Sequence, residues 1–221
     1  MKKLTFTPLD RKYITVFIIV LFSIFILQSS IFNSTYAQTW KWEKNAIISA
    51  NDYGYGSSID SAANTYVAGA FGDTAVFGIF DTLISRGSTD IFIAKYDASG
   101  NMLWAKSAGG TGDDNGRKSG TDASGNHYIT GWFSDTAWFG TTDTLISAGL
   151  RDIFLAKYDP AGNLIWAKKA GGTGDDVSLG LSVDDLGYVS ITGHFSTTAI
   201  FGGADTIIVI GGKDIFVAKY D

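Results

Sequence analysis

Asp152-Ile153-Phe154-Leu155-Ala156-Lys157-Tyr158-Asp159, with Pro160-Ala161-Gly162-Asn163-Leu164-Ile165-Trp166-Ala167-Lys168 behind it, is the most informative stretch of the chain. Asp90-Ile91-Phe92 stands 62 residues before it and Asp214-Ile215-Phe216 stands 62 residues after it. The same spacing relates Trp42, Trp104 and Trp166, then Gly69, Gly131 and Gly193, then Phe77, Phe139 and Phe201, then Lys95, Lys157 and Lys219. Residues 90–114 and 152–176 are identical at 19 of 25 positions. A fixed period of this length means that one supersecondary unit is stacked on copies of itself. The first copy has drifted most, with Asn51-Asp52-Tyr53 where the others read Gly112-Asp113-Asp114-Asn115 and Gly174-Asp175-Asp176-Val177.

Inside a unit the apolar runs are short. Leu179–Asp184 and Val189–Phe195 read as a hairpin across Asp185-Leu186-Gly187; Asp214–Tyr220 is a third strand and Leu164–Ala170 a fourth. Asp-x-x-Gly-Asn at 97–101 and 159–163 predicts a tight turn with Gly in a left-handed conformation. No helical period persists beyond the first 37 residues. Four antiparallel strands per unit, repeated in tandem, define the blade of a β-propeller. Blades stack face to face, so runs such as Ile91-Phe92-Ile93-Ala94 are apolar throughout where a half-wet sheet would alternate. The expected fold is therefore all-β, three 62-residue repeats of propeller-type blades in an incomplete ring. A parallel β-helix is the rival, but its coils are half this length or less.

Gly-Asn-x-x-x-x-Gly at 125–131, Ala137-Trp138-Phe139-Gly140, the stretch 152–159, Gly-Asn-x-x-Trp-Ala-Lys at 162–168 and Gly-Gly-Thr-Gly-Asp-Asp at 171–176 resemble the bacterial SBBP-type β-propeller repeat. The resemblance covers residues from about 40 to 221. It implies an exported propeller in a large surface or secreted protein and supplies no catalytic residues. A looser likeness links Ala94-Lys95-Tyr96-Asp97 through Trp104 to the tryptophan-docking hairpin of quinoprotein propellers, but the Asp-to-Trp spacing is one residue shorter.

Composition agrees with a turn-rich exported protein. There are 27 Gly and 2 Pro in 221 residues, and Glu43 is the one Glu among 22 acids; Asp favours turns where Glu favours helices. Zero Cys excludes disulfides, zinc-thiolate sites and a cysteine nucleophile. Lys2, Lys3, Arg11 and Lys12, the apolar run Ile14–Leu27 and a small residue at Ala37 make residues 1–37 a signal peptide, cleaved before Gln38. An uncleaved anchor over 14–32 is the alternative, interrupted by the polar residues 28–30. With cleavage the mature chain carries no membrane span, and the sequon Asn33-Ser34-Thr35 leaves with the signal. Removal of four basic residues and Asp10 from totals of 17 and 22 leaves a net charge of −8. That balance argues against nucleic acid as a partner. The domain plan is thus 1–37 signal, an outer strand at 40–49, and units at about 50–111, 112–173 and 174–221, the last truncated.

Candidate chemistry is sparse. Gly-Gly-x-Gly-x-Asp at 109–114 and 171–176 matches half of a calcium nonapeptide, without the tandem nine-residue spacing that such sites need. Asp113, Asp114, Asp175 and Asp176 remain candidate ligands for an isolated Ca2+, and no other cofactor is expected. The competing reading is an Asp-capped glycine turn between an outer strand and the next inner one. Paired carboxylates for glycosidase chemistry would break the repeat in a single blade; acids such as Asp60, Asp122 and Asp184 recur in every copy. His127 and His194 occupy different repeat positions, without zinc-ligand spacing. Trp104 and Trp166 read as packing between blades, with a sugar-stacking platform as the alternative. Trp132 and Trp138 occur only in the second copy and are candidate ligand contacts. The segments 72–89, 134–151 and 196–213 either project beside the Gly-rich loops as a recognition face or form an extra hairpin covering the rim.

The expected function is a non-enzymatic interaction scaffold, secreted or on the cell surface, with a protein or glycan partner. The alternatives are a lectin-like propeller and, behind it, part of a secreted propeller hydrolase. Propellers have 4–8 blades, so three do not close a ring. Either the sequence is the N-terminal fragment of a longer protein, the preferred reading, or two copies exchange ends as a six-bladed homodimer.

Overall fold

The computed structural model describes residues 40–48, 50–79, 81–203 and 205–221. The signal-peptide reading of 1–37 lies outside them. Every regular element among them is a β-strand. A two-residue strand β1 (Ile47–Ile48) precedes the first unit, β2 (Tyr53–Ile59), β3 (Thr65–Phe71), β4 (Thr74–Phe77), β5 (Asp81–Ile84), β6 (Asp90–Tyr96) and β7 (Met102–Gly110). The second unit repeats it as β8 (Asn115–Thr121), β9 (His127–Phe133), β10 (Thr136–Phe139), β11 (Asp143–Ile146), β12 (Asp152–Tyr158) and β13 (Leu164–Ala170). The third holds β14 (Val177–Val183), β15 (Val189–Phe195), β16 (Thr198–Phe201), β17 (Asp205–Ile208) and β18 (Asp214–Tyr220).

Within a unit the antiparallel order is β2-β3-β6-β7, then β8-β9-β12-β13, then β14-β15-β18. These are propeller-type blades, and the three do not close a ring. The inserted segment of each unit folds as a hairpin and joins the outer strand of the blade before it. Ala137 and Trp138 of β10 pair with Gly110 and Gly109 of β7. Val76 and Ala75 of β4 pair with Ile47 and Ile48 of β1, and Ile200 of β16 bridges to Gly171 after β13. All three pairings superpose at 62-residue spacing. Of the outer strand expected over 40–49, only Ile47–Ile48 is paired; no strand of a preceding blade lies beside Trp42–Ala46 among the described residues.

In the first two blades both faces are apolar and both are covered. Ile91 and Ile93 of β6 meet Phe154, Ala156 and Tyr158 of β12, with Phe139 and Leu145 of the hairpin closing the seam. Ile153 and Leu155 of β12 meet Phe216, Ala218 and Tyr220 of β18 in the next seam. Phe92, Ala94 and Tyr96 face the other way, onto Trp42, Ala46 and the hairpin residues Phe77 and Leu83. Burying one such side chain stabilises by about 1.5–3 kcal/mol, so these seams dominate the stability of the arc.

Asp-x-x-Gly turns, followed by Asn at 97–101, 122–126 and 159–163 and by Tyr188 in the third blade, close the opposite end of each blade. In 159–163 one Asp159 oxygen accepts the N–H groups of Ala161 and Asn163 and the other accepts Asn163 Nδ2, at 2.8–2.9 Å. Gly100, Gly125, Gly162 and Gly187 take φ of +79° to +87°, the left-handed conformation expected of the turn. Burial alone would raise the carboxyls of Asp60, Asp122 and Asp159, but hydrogen bonds from Asn64, Asn126 and Asn163 hold them below the usual carboxylate range. The turns also lock blade to blade. Tyr66 donates to Gly125 O at 3.2 Å, and Tyr128 donates to Gly187 O at 3.2 Å.

Candidate functional site

The Gly-rich loops after β7 and β13 and the connections into β6 and β12 emerge on one side of the arc. Parallel bridges join Thr89 to Asp113 and Arg151 to Asp175, with Asp114 N donating to Thr89 O and Asp176 N to Arg151 O, both at 2.9 Å. Strand polarity makes this unavoidable, because the outer strand ends where the third strand begins.

The four candidate calcium ligands divide into two kinds here. Asp114 is fully buried and accepts Gly110 N at 2.7 Å and Ser134 N at 3.1 Å. Asp176 accepts Gly172 N at 2.7 Å and Ser196 N at 2.9 Å. Each carboxylate caps the turn between one outer strand and the next inner strand. Gly109 and Gly171, at φ of +141° and +143°, provide the tight backbone beside it. Asp113 and Asp175 lie nearer solvent. Thr89 Oγ1 donates to Asp113. Arg151 grips Asp175 with Nε at 2.5 Å and Nη2 at 2.8 Å, and Lys213 Nζ adds a contact at 2.7 Å. The Arg151 hydrogen bond, ahead of the opposing effect of burial, brings Asp175 down to about 2. Calcium takes 6–8 oxygens; no group of three acidic or His ligands capable of holding a metal occurs among the described residues.

Trp132 is 4% exposed, its ring roofed by the Arg151 guanidinium at 4.6 Å. Trp138 is half-buried, with Arg86 5.3 Å above its ring. Trp132 presents no open aromatic face for a sugar to stack on, whereas Trp138 stays partly exposed beneath Arg86. The structure instead brings together Trp132, Arg151, Asp175, Lys213 and His194, the last 3.1 Å from Lys213 Nζ. None but Asp175 recurs: positions 70, 132 and 194 are Ala, Trp and His, while 89, 151 and 213 are Thr, Arg and Lys. Their joint drift was the available signal. The sequence does not show that positions 19 residues apart meet across adjacent strands.

Two buried acids flank Gly109. A Cβ there would lie 2.8 Å from Asp114 Oδ2 and 3.0 Å from Asp90 Oδ1. Burial pushes Asp90 up to about 6; burial, then the charges of Asp90 and Asp113, pushes Asp114 up to about 7. The folded chain thus holds protons that the unfolded chain releases above about pH 4. Stability falls as pH rises through that window, by up to about 1.4 kcal/mol per unit for each group. His127 opposes them. It is fully buried against Tyr66, both ring nitrogens lack partners, and burial followed by the Lys95 charge brings it down to about 3. Its contribution is complete above about pH 6.5 and is lost as pH falls toward 3. Urea unfolding from pH 4 to 7 is expected to show stability declining toward neutrality. Asp114→Asn should flatten that slope and His127→Phe should steepen it; unchanged slopes in both variants contradict the assignment.

No family model matches the chain. It is 31% identical over 185 residues to the uncharacterized WD repeat-containing protein L264 of Acanthamoeba polyphaga mimivirus, covering 74% of this chain and 13% of that protein. It is 27% identical over 138 residues to regulatory protein FlaEY of Caulobacter vibrioides, covering 61% of this chain and 14% of that one. The chain spans about one seventh of the length of each relative or less. WD repeats build propeller blades, in keeping with the sheets described above.

Proposed function

We propose that the chain is an exported, non-enzymatic interaction scaffold of the SBBP type whose contact surface is the loop-bearing side of the arc. One observation carries this reading: the residues that break the repeat collect there, with the Arg151 and Lys213 side chains 36% and 48% exposed. Two cations around one carboxylate leave an excess positive charge on an otherwise acidic chain. Such a spot suits an acidic side chain of a protein partner. The acids nearby serve the fold, as turn caps or ion-pair partners, which leaves none placed as a hydrolytic pair. The scaffold requires no cofactor in this reading.

The test is cross-linking on source cells displaying the parent chain or an Arg151→Ala/Lys213→Ala variant, with a glycan array in parallel. Cross-links mapping to loops 147–151, 172–175 and 210–213, lost in the double variant, are the expected result. Sugar binding abolished by Trp138→Ala would replace the scaffold with the lectin reading. A chain retained inside the cell would remove the exported part of the proposal.

A further inference from the structure

β2, β8 and β14 lie on the inner side of the arc, each the last strand of its sheet, and among the described residues no strand pairs with their other edge. Tyr53–Ile59 and Val177–Val183 hold no charged residue, whereas Asn115–Thr121 holds Arg117 and Lys118 and no acid. At 62-residue spacing this pair stands where the first unit has Tyr55-Gly56 and the third has Leu179-Gly180. Two adjacent cations thus break the repeat on the inner side of a chain whose net charge is −5. Among the described residues neither is ion-paired; the carboxylates hold Lys95, Arg151, Lys157, Lys169 and Lys213 instead.

Local geometry gathers these groups. In a regular strand, neighbouring residues point to opposite faces. The bulge between Gly116 and Lys118 interrupts that alternation, and the Arg117 guanidinium lies 4.1 Å over the Tyr55 ring of β2. Lys118 starts from the same place: a Cβ on Gly56, next to Tyr55, would lie 3.0 Å from Lys118 Cα and 2.9 Å from Ser119 N. Tyr53 stacks on Tyr55 at 5.6 Å with an interplanar angle of 18°. Tyr55 therefore fixes the plane of the guanidinium but accepts none of its in-plane N–H groups. Arg117 is half-buried, and its Nε is buried without a hydrogen-bond partner, an unfavourable state for a donor. Lys118 is exposed and Tyr53 is 50% exposed, so the cluster is open to a ligand.

We propose that Arg117 and Lys118 form a binding site for a divalent oxyanion on the inner side of the arc, a phosphate group either free or carried as a monoester. The planar fork of a guanidinium matches two phosphate oxygens, and a lysine adds a mobile point charge. Two uncompensated cations balance a dianion, where a carboxylate would leave one of them in excess. The exposed part of Tyr53 supplies an apolar surface for the organic portion of a monoester. The site is built from strands of the first and second units, and it is independent of what the loop-bearing side binds.

Titration calorimetry of the full chain with inorganic phosphate, phenyl phosphate and acetate tests it. Saturable binding of phosphate at one site per chain is expected, with acetate weaker. Lys118→Gln should weaken phosphate binding by about tenfold or more, the effect of losing one charge-assisted hydrogen bond, and Arg117→Gln/Lys118→Gln should abolish it. Because Lys118 is exposed, the single variant should unfold at the parent's temperature in the absence of phosphate. Lys106→Gln, which removes an exposed charge from β7, should leave binding unchanged. Phenyl phosphate binding more tightly than phosphate would identify a monoester as the ligand, and equal affinities the free ion. No saturable binding of phosphate, acetate binding as tightly, no effect of Lys118→Gln, or an equal loss in Lys106→Gln would each overturn the site.

Discussion

Phe154→Ala is expected to destabilise the chain by about 3–5 kcal/mol, the range for deleting a buried aromatic ring. The Phe154 side chain is fully buried, its ring 5.0 Å from that of Phe139, in the seam that holds Ile91, Ile93, Ile129 and Phe133. Its loss leaves a cavity between two sheets that neither can fill, because the backbone ladders on both sides fix the spacing. In thermal unfolding this corresponds to a fall in Tm of roughly 10 °C for a domain of this size. A fall of only a degree or two would mean that the seam between the first and second blades is not where the stability resides.

Gly131→Ala should cost a comparable amount, about 3 kcal/mol, through overpacking instead of cavity formation. A Cβ on Gly131 would lie 1.9 Å from Asn115 O and 3.1 Å from Arg117 N, both backbone atoms of β8. The cause is the bulge in β8 between Gly116 and Lys118, which turns the neighbouring backbone toward the β9 glycine. Gly69 and Gly193 face the same contact, at 1.9 Å from Tyr53 O and 2.0 Å from Val177 O. Backbone cannot rotate aside as a side chain can, so β8 must shift. Gly212→Ala is the control: nothing lies within 4 Å of its added Cβ, and its effect should stay within about 0.5 kcal/mol. Equal stabilities of the two variants by urea unfolding would contradict the close approach.

The blades themselves could be read from the chain, because the 62-residue period and the unbroken apolar strands each have few structural solutions. Asp159 and Gly162 announced their turn, since local hydrogen bonds and a left-handed residue need no tertiary information. The hairpin β10-β11 was readable as a hairpin, but its attachment to the preceding blade was not. Nothing in Ala137-Trp138-Phe139 specifies that its partner is the end of an outer strand in the unit before. Burial was the other blind spot. Trp132, the lone Trp at its repeat position, is a candidate ligand contact by sequence, yet it is 4% exposed with Arg151 over its ring. The cluster around Asp175 depended on pairings between units, which a period alone does not reveal. Ile215 and Ile153 have nearly the same sequence neighbours and opposite surroundings, so composition cannot tell a seam from an open face.

That contrast gives the most direct test of the claim that stacking between blades, and not local sequence, holds each strand. Val217→Lys places a charge on the open face, where Val217 is 77% exposed, and is the background for the test. In that variant, hydrogen exchange should be compared for β12 and β18, using amides bonded to the inner neighbours β9 and β15. Both strands read Asp-Ile-Phe-x-Ala-Lys-Tyr apart from the substituted site. The expected result is protection in β12 close to that of global unfolding, and exchange in β18 faster by orders of magnitude through local opening. Equal protection in the two strands, or rapid exchange throughout β12, would contradict a structure built from blades that stabilise one another face to face.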